Sequence, residues 1–327
     1  MPRCDIGGMK NKPLAGFLFA AAAVASAPPA LAEAPAPAAN VTKEPGPPPP
    51  VPPAPYSLPW QLRPAVVANV VRSDTSFAQL EDAMSRGGST IVSSLLGTYK
   101  VTPQLAPLVR VAFVDNTPPT GAGSRTLVNP VVGGMWATKP ADDLRLSVFL
   151  GLAIPVGMGG GDAPDAADAA ATKSGIAARS AMDNAMFAVN YFTVFPGADL
   201  AYVKGGFTAQ LEATLLQLFR ARGAKVEKDE ARTNLTTGLH VGYFVIPELS
   251  VSTELRYQRW LSTPAAVAAD TTGASRDNLT VAVGPRFHFK VGDSMWIRPG
   301  VSYAQGIDDP MSKQSYRIVQ LDLPVAF

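Results

Sequence analysis

The chain alternates apolar and polar residues over long stretches between residue 60 and the C-terminus. In 278–291, every second residue from Leu279 to Val291 is apolar or proline, and most residues between them are small or polar. This two-residue period predicts β-strands that have one apolar and one polar face. The same pattern predicts twelve antiparallel strands in all, at 60–72, 89–101, 105–116, 126–138, 144–156, 184–195, 206–222, 233–246, 249–262, 278–291, 295–307 and 316–327.

The connections between these predicted strands alternate between tight turns and long loops. Such alternation is typical of a transmembrane β-barrel, which has short turns on one side of the membrane and long loops on the other. An even number of strands also places both ends of the barrel on the same side. The tight connections are 102–104, 139–143, 247–248 and 292–294, with the longer 196–205 in the same phase, and the long ones are 73–88, 117–125, 157–183, 223–232, 263–277 and 308–315.

The last predicted strand reads YRIVQLDLPVAF and has five apolar residues at alternate positions, ending in Phe327. This segment resembles the C-terminal strand of bacterial outer-membrane β-barrel proteins, including porins and channels. The resemblance implies an all-β, antiparallel transmembrane barrel that is surrounded by outer-membrane lipid. It also implies that Phe327 is an assembly signal for the barrel assembly machinery. A soluble β-sandwich, which also alternates apolar and polar residues, is the alternative fold.

The N-terminal part of the chain differs from the predicted barrel. Residues 1–32 combine a basic start, an apolar run and an Ala-Leu-Ala end, which predicts a signal peptide cleaved near Ala32 after Sec-type export to the bacterial outer membrane. Residues 33–59 are rich in proline and predict an extended or disordered periplasmic linker. The domain prediction is therefore a signal peptide, this linker and a barrel over 60–327.

Composition excludes several other classes of protein. The 327 residues are 47% hydrophobic and 17% charged, but outside the N-terminus no apolar run approaches the ~20 residues of a membrane-spanning helix. One cysteine excludes a disulfide scaffold, and two histidines leave little for a metal site. A formal net charge of +2 argues against general nucleic-acid binding. We predict no cofactor and no metal, and the oligomeric state is left open.

Charged residues on the polar faces of the strands are the predicted lining of the barrel lumen. Basic residues outnumber acidic ones on these faces, and a lining of one dominant sign would attract anions. The alternative is a ladder of salt bridges that fills and closes the lumen. The candidates are Arg110, Arg145, Arg220, Arg256, Arg286, Lys290 and Arg298, the acidic Glu212, Glu254 and Asp322, and the two histidines, His240 and His288.

The loop 157–183 is the predicted inward loop. Pro164 fits the first turn of a helix, Lys173 lies late in it, and Gly175 would end it. The early aspartates complement the dipole of such a helix and would suit a constriction that faces a basic lumen. A solvated outer loop is the alternative. The candidate constriction residues are Asp162, Asp165 and Asp168.

These observations favour a channel for passive or substrate-preferring passage of small anionic solutes. The alternative is a plugged barrel that has a structural or surface-interaction role. An outer-membrane hydrolase is less favoured, because both histidines fall on predicted luminal faces and neither lies in the histidine-serine motif of outer-membrane phospholipases. We therefore predict no enzymatic activity and no catalytic residue.

Overall fold

The structure of the protein, a computed structural model, describes residues 55–81, 84–308, 311–312 and 315–327. The predicted signal peptide and most of the predicted linker lie outside these residues. The strand segments are β1 (Val70–Glu81), β2 (Gly87–Thr98), β3 (Leu105–Thr117), β4 (Ser124–Leu127), β5 (Val131–Ala141), β6 (Leu144–Ala153), β7 (Tyr191–Lys204), β8 (Phe207–Arg220), β9 (Ala231–Ile246), β10 (Leu249–Trp260), β11 (Asp277–Phe287), β12 (Phe289–Val291), β13 (Met295–Ile297), β14 (Gly300–Gly306) and β15 (Arg317–Ala326).

These segments form one closed antiparallel barrel of twelve strands, which confirms the predicted fold class. Every neighbouring pair is antiparallel, and β1 closes the barrel on β15 from Val70–Ala326 to Gln79–Arg317. Closure satisfies the backbone N–H and C=O groups of every strand, so no sheet edge is left open.

Three of the twelve strands are interrupted, which is why there are fifteen segments. β4 and β5 share one strand, because both pair with β3, and β11–β12 and β13–β14 are likewise consecutive parts of single strands. Proline marks two of the breaks, at Pro130 and Pro299, since proline has no N–H to donate to the ladder. At the third break, between β11 and β12, the N–H of His288 donates to the carbonyl of Glu248 at 2.8 Å.

Side chains alternate across the barrel wall as the sequence pattern predicts. On β8, Leu211 is 56% exposed on the outside while Glu212 is 2% exposed on the inside. The apolar outer face, including Val241 and Leu255, forms a continuous exposed surface that is costly in water and favourable in lipid. Large aromatic residues gather on this face near the end of the barrel that carries the tight turns, as in the aromatic girdles of membrane barrels. They include Tyr99, Trp136, Tyr202, Phe207, Tyr243, Phe287, Phe289 and Phe327.

The first strand does not lie where the sequence analysis placed it. Residues 60–69 form no strand, and β1 runs through the stretch that was predicted to be a long loop, 73–88. β1 carries Arg72, Asp74 and Ser76 inward, but its outer face also contains Ser73 and Thr75. Polar residues on both faces hide the two-residue period, so the apolar run just before β1 was mistaken for the strand.

A second correction concerns β7. The predicted strand 184–195 and turn 196–205 are replaced by a short helix followed by one long strand. Pro196 pairs in register with β6, but the ladder to β8 skips it, so the strand tolerates the proline. The actual turn is Gly205-Gly206, where both φ angles are positive (55° and 84°), as a two-residue hairpin turn requires.

Helices are few. α1 (Ala166–Ala178) and α2 (Asn184–Phe187) lie between β6 and β7, and α3 (Ala265–Ala268) lies in the loop after β10. None of the helices in the described residues is long and apolar enough to cross a membrane.

Candidate functional site

The barrel lumen is occupied by two stretches of the chain itself. The N-terminal luminal segment, residues 55–69, precedes β1 and contains the fully buried Trp60. The inward loop, residues 154–190, connects β6 to β7 and contains α1 and α2. Side chains of the inward loop bond to inner-face residues of both β3 and β10, which lie on opposite sides of the barrel. The loop therefore crosses the lumen.

The N-terminal luminal segment is held by two inward carboxylates. Glu254 accepts hydrogen bonds from the backbone N–H groups of Trp60 (2.7 Å) and Gln61 (3.0 Å). Glu212 accepts one from the N–H of Arg63 at 2.6 Å and a second from its guanidinium at 2.7 Å. Both glutamates were predicted to line an open pore, and here they satisfy the backbone of a segment that fills it.

Glycines on the inner wall make room for this segment. A Cβ atom at Gly238 would lie 2.3 Å from Leu62, and one at Gly242 would lie 2.1 Å from Ser57. At Gly300 the nearest atom, in the Trp60 ring, would be 2.7 Å away. Any side chain at these positions would collide with the segment, so the wall and the segment fit each other closely.

A cluster of buried charges surrounds Trp60. Asp322 accepts from Arg72 at 2.7 Å and from Arg286 at 2.6 Å. The Arg286 guanidinium carbon lies 4.4 Å from the centre of the Trp60 ring, and Arg72 also donates to the carbonyls of Pro59 (3.1 Å) and Trp60. These arginines thus bind the N-terminal luminal segment as well as the barrel wall.

The inward loop is fastened by Arg179, which is 1% exposed. Its guanidinium contacts Asp74 on β1 at 2.8 Å, Asp183 in the loop at 2.9 Å and the hydroxyl of Ser76 at 2.9 Å. Asp183 also pairs with Arg110 on β3 at 2.7 Å. Burial alone would raise the pKa of Asp183, but Arg110 and Arg179 outweigh it and hold that pKa well below the usual range.

A pH prediction follows from the lowered pKa of Asp183. The ionised Asp183 carboxylate contributes fully to stability above its pKa in the unfolded chain, about 3.9. This contribution is lost only as the pH falls through the lower pKa that Asp183 has in the folded protein. Acidification from pH 7 to pH 5 should therefore leave the contacts of Asp183 in place. Hydrogen exchange of the α1 amides, corrected for intrinsic rates, should show the same protection at both values. A large loss of protection at pH 5 would contradict this.

One ion pair touches both inward stretches. Glu254 and Arg256 lie on β10 with 2.6 Å between their charged groups, and both are fully buried. Glu254 holds Trp60 of the N-terminal luminal segment, whereas Arg256 donates to the hydroxyl of Ser180 in the inward loop at 3.2 Å. Arg256 also bonds Gln320 at 3.1 Å. The two stretches therefore meet at this pair in the middle of the barrel.

The predicted constriction aspartates are bonded to nearby backbone groups and to a strand end. Asp165 caps α1 by accepting from the N–H groups of Ala167 (2.9 Å) and Asp168 (3.0 Å), and Asp162 accepts from the N–H of Lys225 at 3.1 Å. Asp168 bonds the hydroxyl of Ser124 at the end of β4. The helix begins after Asp165, and it continues past Gly175, which lies against the Phe187 ring instead of ending it.

The remaining predicted basic residues are less firmly paired. Arg220 lies 3.5 Å from Glu230 in an outer loop, and Lys290 is exposed. Arg145 lies 5.8 Å from the Tyr56 ring and Arg298 lies 5.3 Å from the Trp296 ring. Within the described ranges, no carboxylate forms an ion pair with Arg145, Lys290 or Arg298.

The two histidines face inward. His240 is fully buried opposite Glu254. His288 contacts the Ser250 hydroxyl at 2.8 Å, and its ring centre lies 4.5 Å from that of Phe244 with the two planes tilted by 39°. In the part of the chain that the structure describes, no carboxylate bonds to His288.

A cavity of about 100 Å³ remains between the two inward stretches. Its lining includes the charged side chains of Arg63, Arg72, Asp183 and Glu212. Strands β5 to β8 and helix α2 add large hydrophobic side chains to the same lining. The apolar lining includes Val131, Met135, Phe149, Met186, Phe195 and Leu216.

Several residues that hold the inward stretches were missed by the sequence analysis. Arg72 was placed at the end of the predicted strand 60–72 and Asp74 in the predicted loop 73–88, whereas both lie on β1. The inward run Arg72, Asp74, Ser76 could have revealed this strand. Arg63, Arg179 and Asp183 lie outside the strands, where no periodicity shows which way a side chain points.

The fold resembles known outer-membrane porins and channels. The COG4313 outer membrane channel from Pseudomonas putida F1 matches with a TM-score of 0.51 at 12% identity, over 82% of this chain and 98% of the channel. The NanC porin gives 0.46 at 8% identity, over 78% and 98%. The KdgM porin in complex with disordered oligogalacturonate gives 0.43 at 10%, over 78% and 99%. No family model and no curated protein matches the sequence.

The likeness to the COG4313 channel shows the fold, a twelve-stranded antiparallel β-barrel, as the alternating strands predicted.

Proposed function

We propose that the protein is an outer-membrane channel for small solutes, whose lumen is closed in this structure by two removable stretches of its own chain. The observation that carries the proposal is how the N-terminal luminal segment is held. It is fixed by backbone hydrogen bonds to Glu254 and Glu212, groups that water can also satisfy. Release of the segment exchanges these bonds for bonds to water, and it exposes the buried side chains of Leu58, Trp60 and Leu62.

The proposed location rests on the outer surface of the barrel. A closed barrel with an exposed apolar outer face and aromatic residues near its turn end is suited to a bilayer. We further propose export by the signal peptide 1–32 and insertion by the barrel assembly machinery, with Phe327 as the assembly signal. Phe327 is 58% exposed and its N–H bonds the Asn69 carbonyl at 3.1 Å, next to the closing seam of the barrel.

Anion preference is the finer part of the proposal. Most luminal arginines are neutralised by carboxylates, as Arg286 is by Asp322 and Arg110 by Asp183. What supports a surplus of positive charge is Arg145 and Arg298, which form no ion pair with a described carboxylate. The expected preference is therefore weak.

Conductance in a planar bilayer tests the proposed function. Refolded protein should show small, infrequent openings, and a salt gradient should give a reversal potential displaced toward that of the anion. Cation-directed reversal potentials would overturn the anion preference alone. Complete absence of openings, from folded wild-type protein and from variants that release the inward stretches, would overturn the channel itself.

A plugged structural barrel is the second candidate. The buried ion pairs of Arg179 with Asp74 and Asp183 favour it. Losing one partner of a buried ion pair strongly destabilises the folded protein, so the loop that carries Arg179 is held firmly. This candidate predicts that neither inward stretch ever leaves the lumen under non-denaturing conditions. Two experiments separate it from the channel: a disulfide that holds the N-terminal luminal segment in place, and a substitution of Arg179 that releases the inward loop.

A further inference from the structure

Arg63 occupies a pocket on the inner wall formed by β6, β7 and β8. Its guanidinium carbon lies 3.8 Å from the centre of the Phe149 ring and 5.6 Å from that of Phe195. Both rings are 5% exposed and belong to the barrel wall. A cation over an aromatic face is attracted by the quadrupole of the ring, and the attraction is stronger where water is excluded.

Glycines hold the two rings flat against the wall. A Cβ atom at Gly151 would lie 2.2 Å from the Phe195 ring, and one at Gly197 would lie 2.1 Å from the Phe149 ring. Each ring therefore rests on the backbone of a neighbouring strand, and its face points into the lumen. The aromatic surface is fixed before any cation reaches it.

Two carboxylates complete the pocket. Glu212 binds the Arg63 guanidinium at 2.7 Å, and Asp199 is its direct cross-strand neighbour. Asp199 is 1% exposed and is held by Ser147 at 2.7 Å and Gln210 at 3.1 Å. Within the described ranges Asp199 has no ion-pair partner, so Arg63 is the one cation paired with these two acids. Glu212 supplies the negative charge that attracts a cation, and Asp199 lies beside it as a further oxygen acceptor.

Arg63 belongs to the N-terminal luminal segment and not to the wall. When that segment leaves, Phe149, Phe195, Glu212 and Asp199 remain on the strands as an empty cation pocket. Phe149, Phe195 and Glu212 also line the luminal cavity, together with the apolar Met135 and Leu216. A ligand with a charged head and a short apolar body would place the head at Glu212 and the body along these apolar side chains.

We propose that this pocket is a binding subsite for organic cations that carry a guanidinium or alkylammonium group, and that Arg63 is an internal competitor for it. A ligand that occupies the pocket excludes Arg63 and so favours release of the N-terminal luminal segment. A cation subsite in one part of the lumen is local, and Arg145 and Arg298 outside it still set the ion preference of the whole lumen.

Binding can be tested without any current. Butylguanidinium is titrated into refolded protein in detergent and followed by ligand-observed NMR, with butyrate as the matched anion. Arg63→Ala should bind butylguanidinium at least tenfold more tightly than the wild type, because a tethered competitor has an effective concentration in the millimolar range. Arg63→Lys, which keeps a cation in the pocket, should bind as weakly as the wild type.

Two further variants locate the site. In the Arg63→Ala background, Phe149→Leu and Glu212→Gln should each reduce butylguanidinium binding about tenfold. Arg125→Ala, which removes an exposed ion pair with Asp115, serves as the control and should bind like the wild type. Circular dichroism checks that each variant is a folded barrel.

The proposal is overturned if Arg63→Ala binds butylguanidinium no better than the wild type, or if it binds butyrate as well as the cation. It is also overturned if the affinity for butylguanidinium rises as much in Arg63→Lys as in Arg63→Ala. Both variants would then bind more tightly because the segment is loosened, and not because the pocket is empty. Because binding is read directly, these outcomes are distinct from the failure of the proposed channel, which shows as missing conductance.

Discussion

A disulfide between Leu62→Cys and Gly238→Cys should hold the channel shut until it is reduced. The double variant ties the N-terminal luminal segment to β9 at a point where the two are in close contact. Under oxidising conditions we expect no openings in a planar bilayer. After addition of a reductant, the same protein should open at least as often as the wild type.

The geometry at Leu62 suits this cross-link. A Cβ atom at Gly238 would lie 3.1 Å from Leu62 Cγ, the position that the sulfur of a cysteine would take. The far sulfur of a disulfide lies about 3 Å from a Cβ atom, so little movement is needed. The sequence contains one other cysteine, Cys4, which a Cys4→Ser background removes from the experiment.

The two single-cysteine variants are the controls, because each changes the packing in the same way without forming the bond. If the oxidised double variant conducts like the reduced one, the N-terminal luminal segment does not block the pore. Removal of Leu62 weakens the fit of the segment, so the reduced double variant is also expected to open more often than the wild type.

The sequence predicts the barrel well and its contents poorly, for a physical reason. A strand in the wall has lipid on one side and the lumen on the other. Its sequence therefore alternates apolar and polar residues, as in 278–287. The N-terminal luminal segment has no such contrast, because it is surrounded by protein on all sides. Its apolar residues, Trp60 and Leu62, therefore resemble a strand without being one.

The charged residues show the same division. Glu212, Glu254, Arg256, Arg286 and Asp322 are buried on the inner face of the barrel, since alternation fixes the face of a strand residue. Their partners were not foreseen, since Arg63, Arg179 and Asp183 belong to stretches without a period. Alternation thus shows where a charge points but leaves open whether it meets water or another part of the chain. That difference separates an open anion pore from a closed one.

The Glu254–Arg256 pair suggests that the two closures are linked. Release of the inward loop removes Ser180 from Arg256, and release of the N-terminal luminal segment removes Trp60 from Glu254. After either event Glu254 and Arg256 still bond to each other, but they are partly exposed to water. Each stretch therefore stabilises the surroundings of the other, and opening of one should make opening of the other easier.

Arg179→Ala should release the inward loop while leaving the barrel folded. The substitution removes the contacts with Asp74, Asp183 and Ser76 and leaves Asp74 without its ion-pair partner in a buried place. Loss of one partner of a buried pair costs about 3–5 kcal/mol. That cost falls on the loop, because β1 remains paired with β2 and β15 along its length.

Limited proteolysis measures the release. Lys173 lies within α1, whose backbone bonds protect it from trypsin while the loop is folded. We expect Arg179→Ala to be cleaved there at least tenfold faster than the wild type, since cleavage follows the population of the released form. Arg125→Ala removes an exposed arginine and should be cleaved at the wild-type rate. Equal cleavage of wild type and Arg179→Ala would show that Arg179 does not fasten the loop.

Combining Arg179→Ala with the oxidised Leu62→Cys/Gly238→Cys cross-link decides how the two stretches act together. If they close the lumen in series, this protein should be cleaved rapidly at Lys173 and yet remain without conductance. Reduction should then give more frequent openings than either change alone, because both stretches are free to leave. Openings in the oxidised protein would instead mean that the inward loop alone closes the pore, and that the N-terminal luminal segment leaves a path beside it.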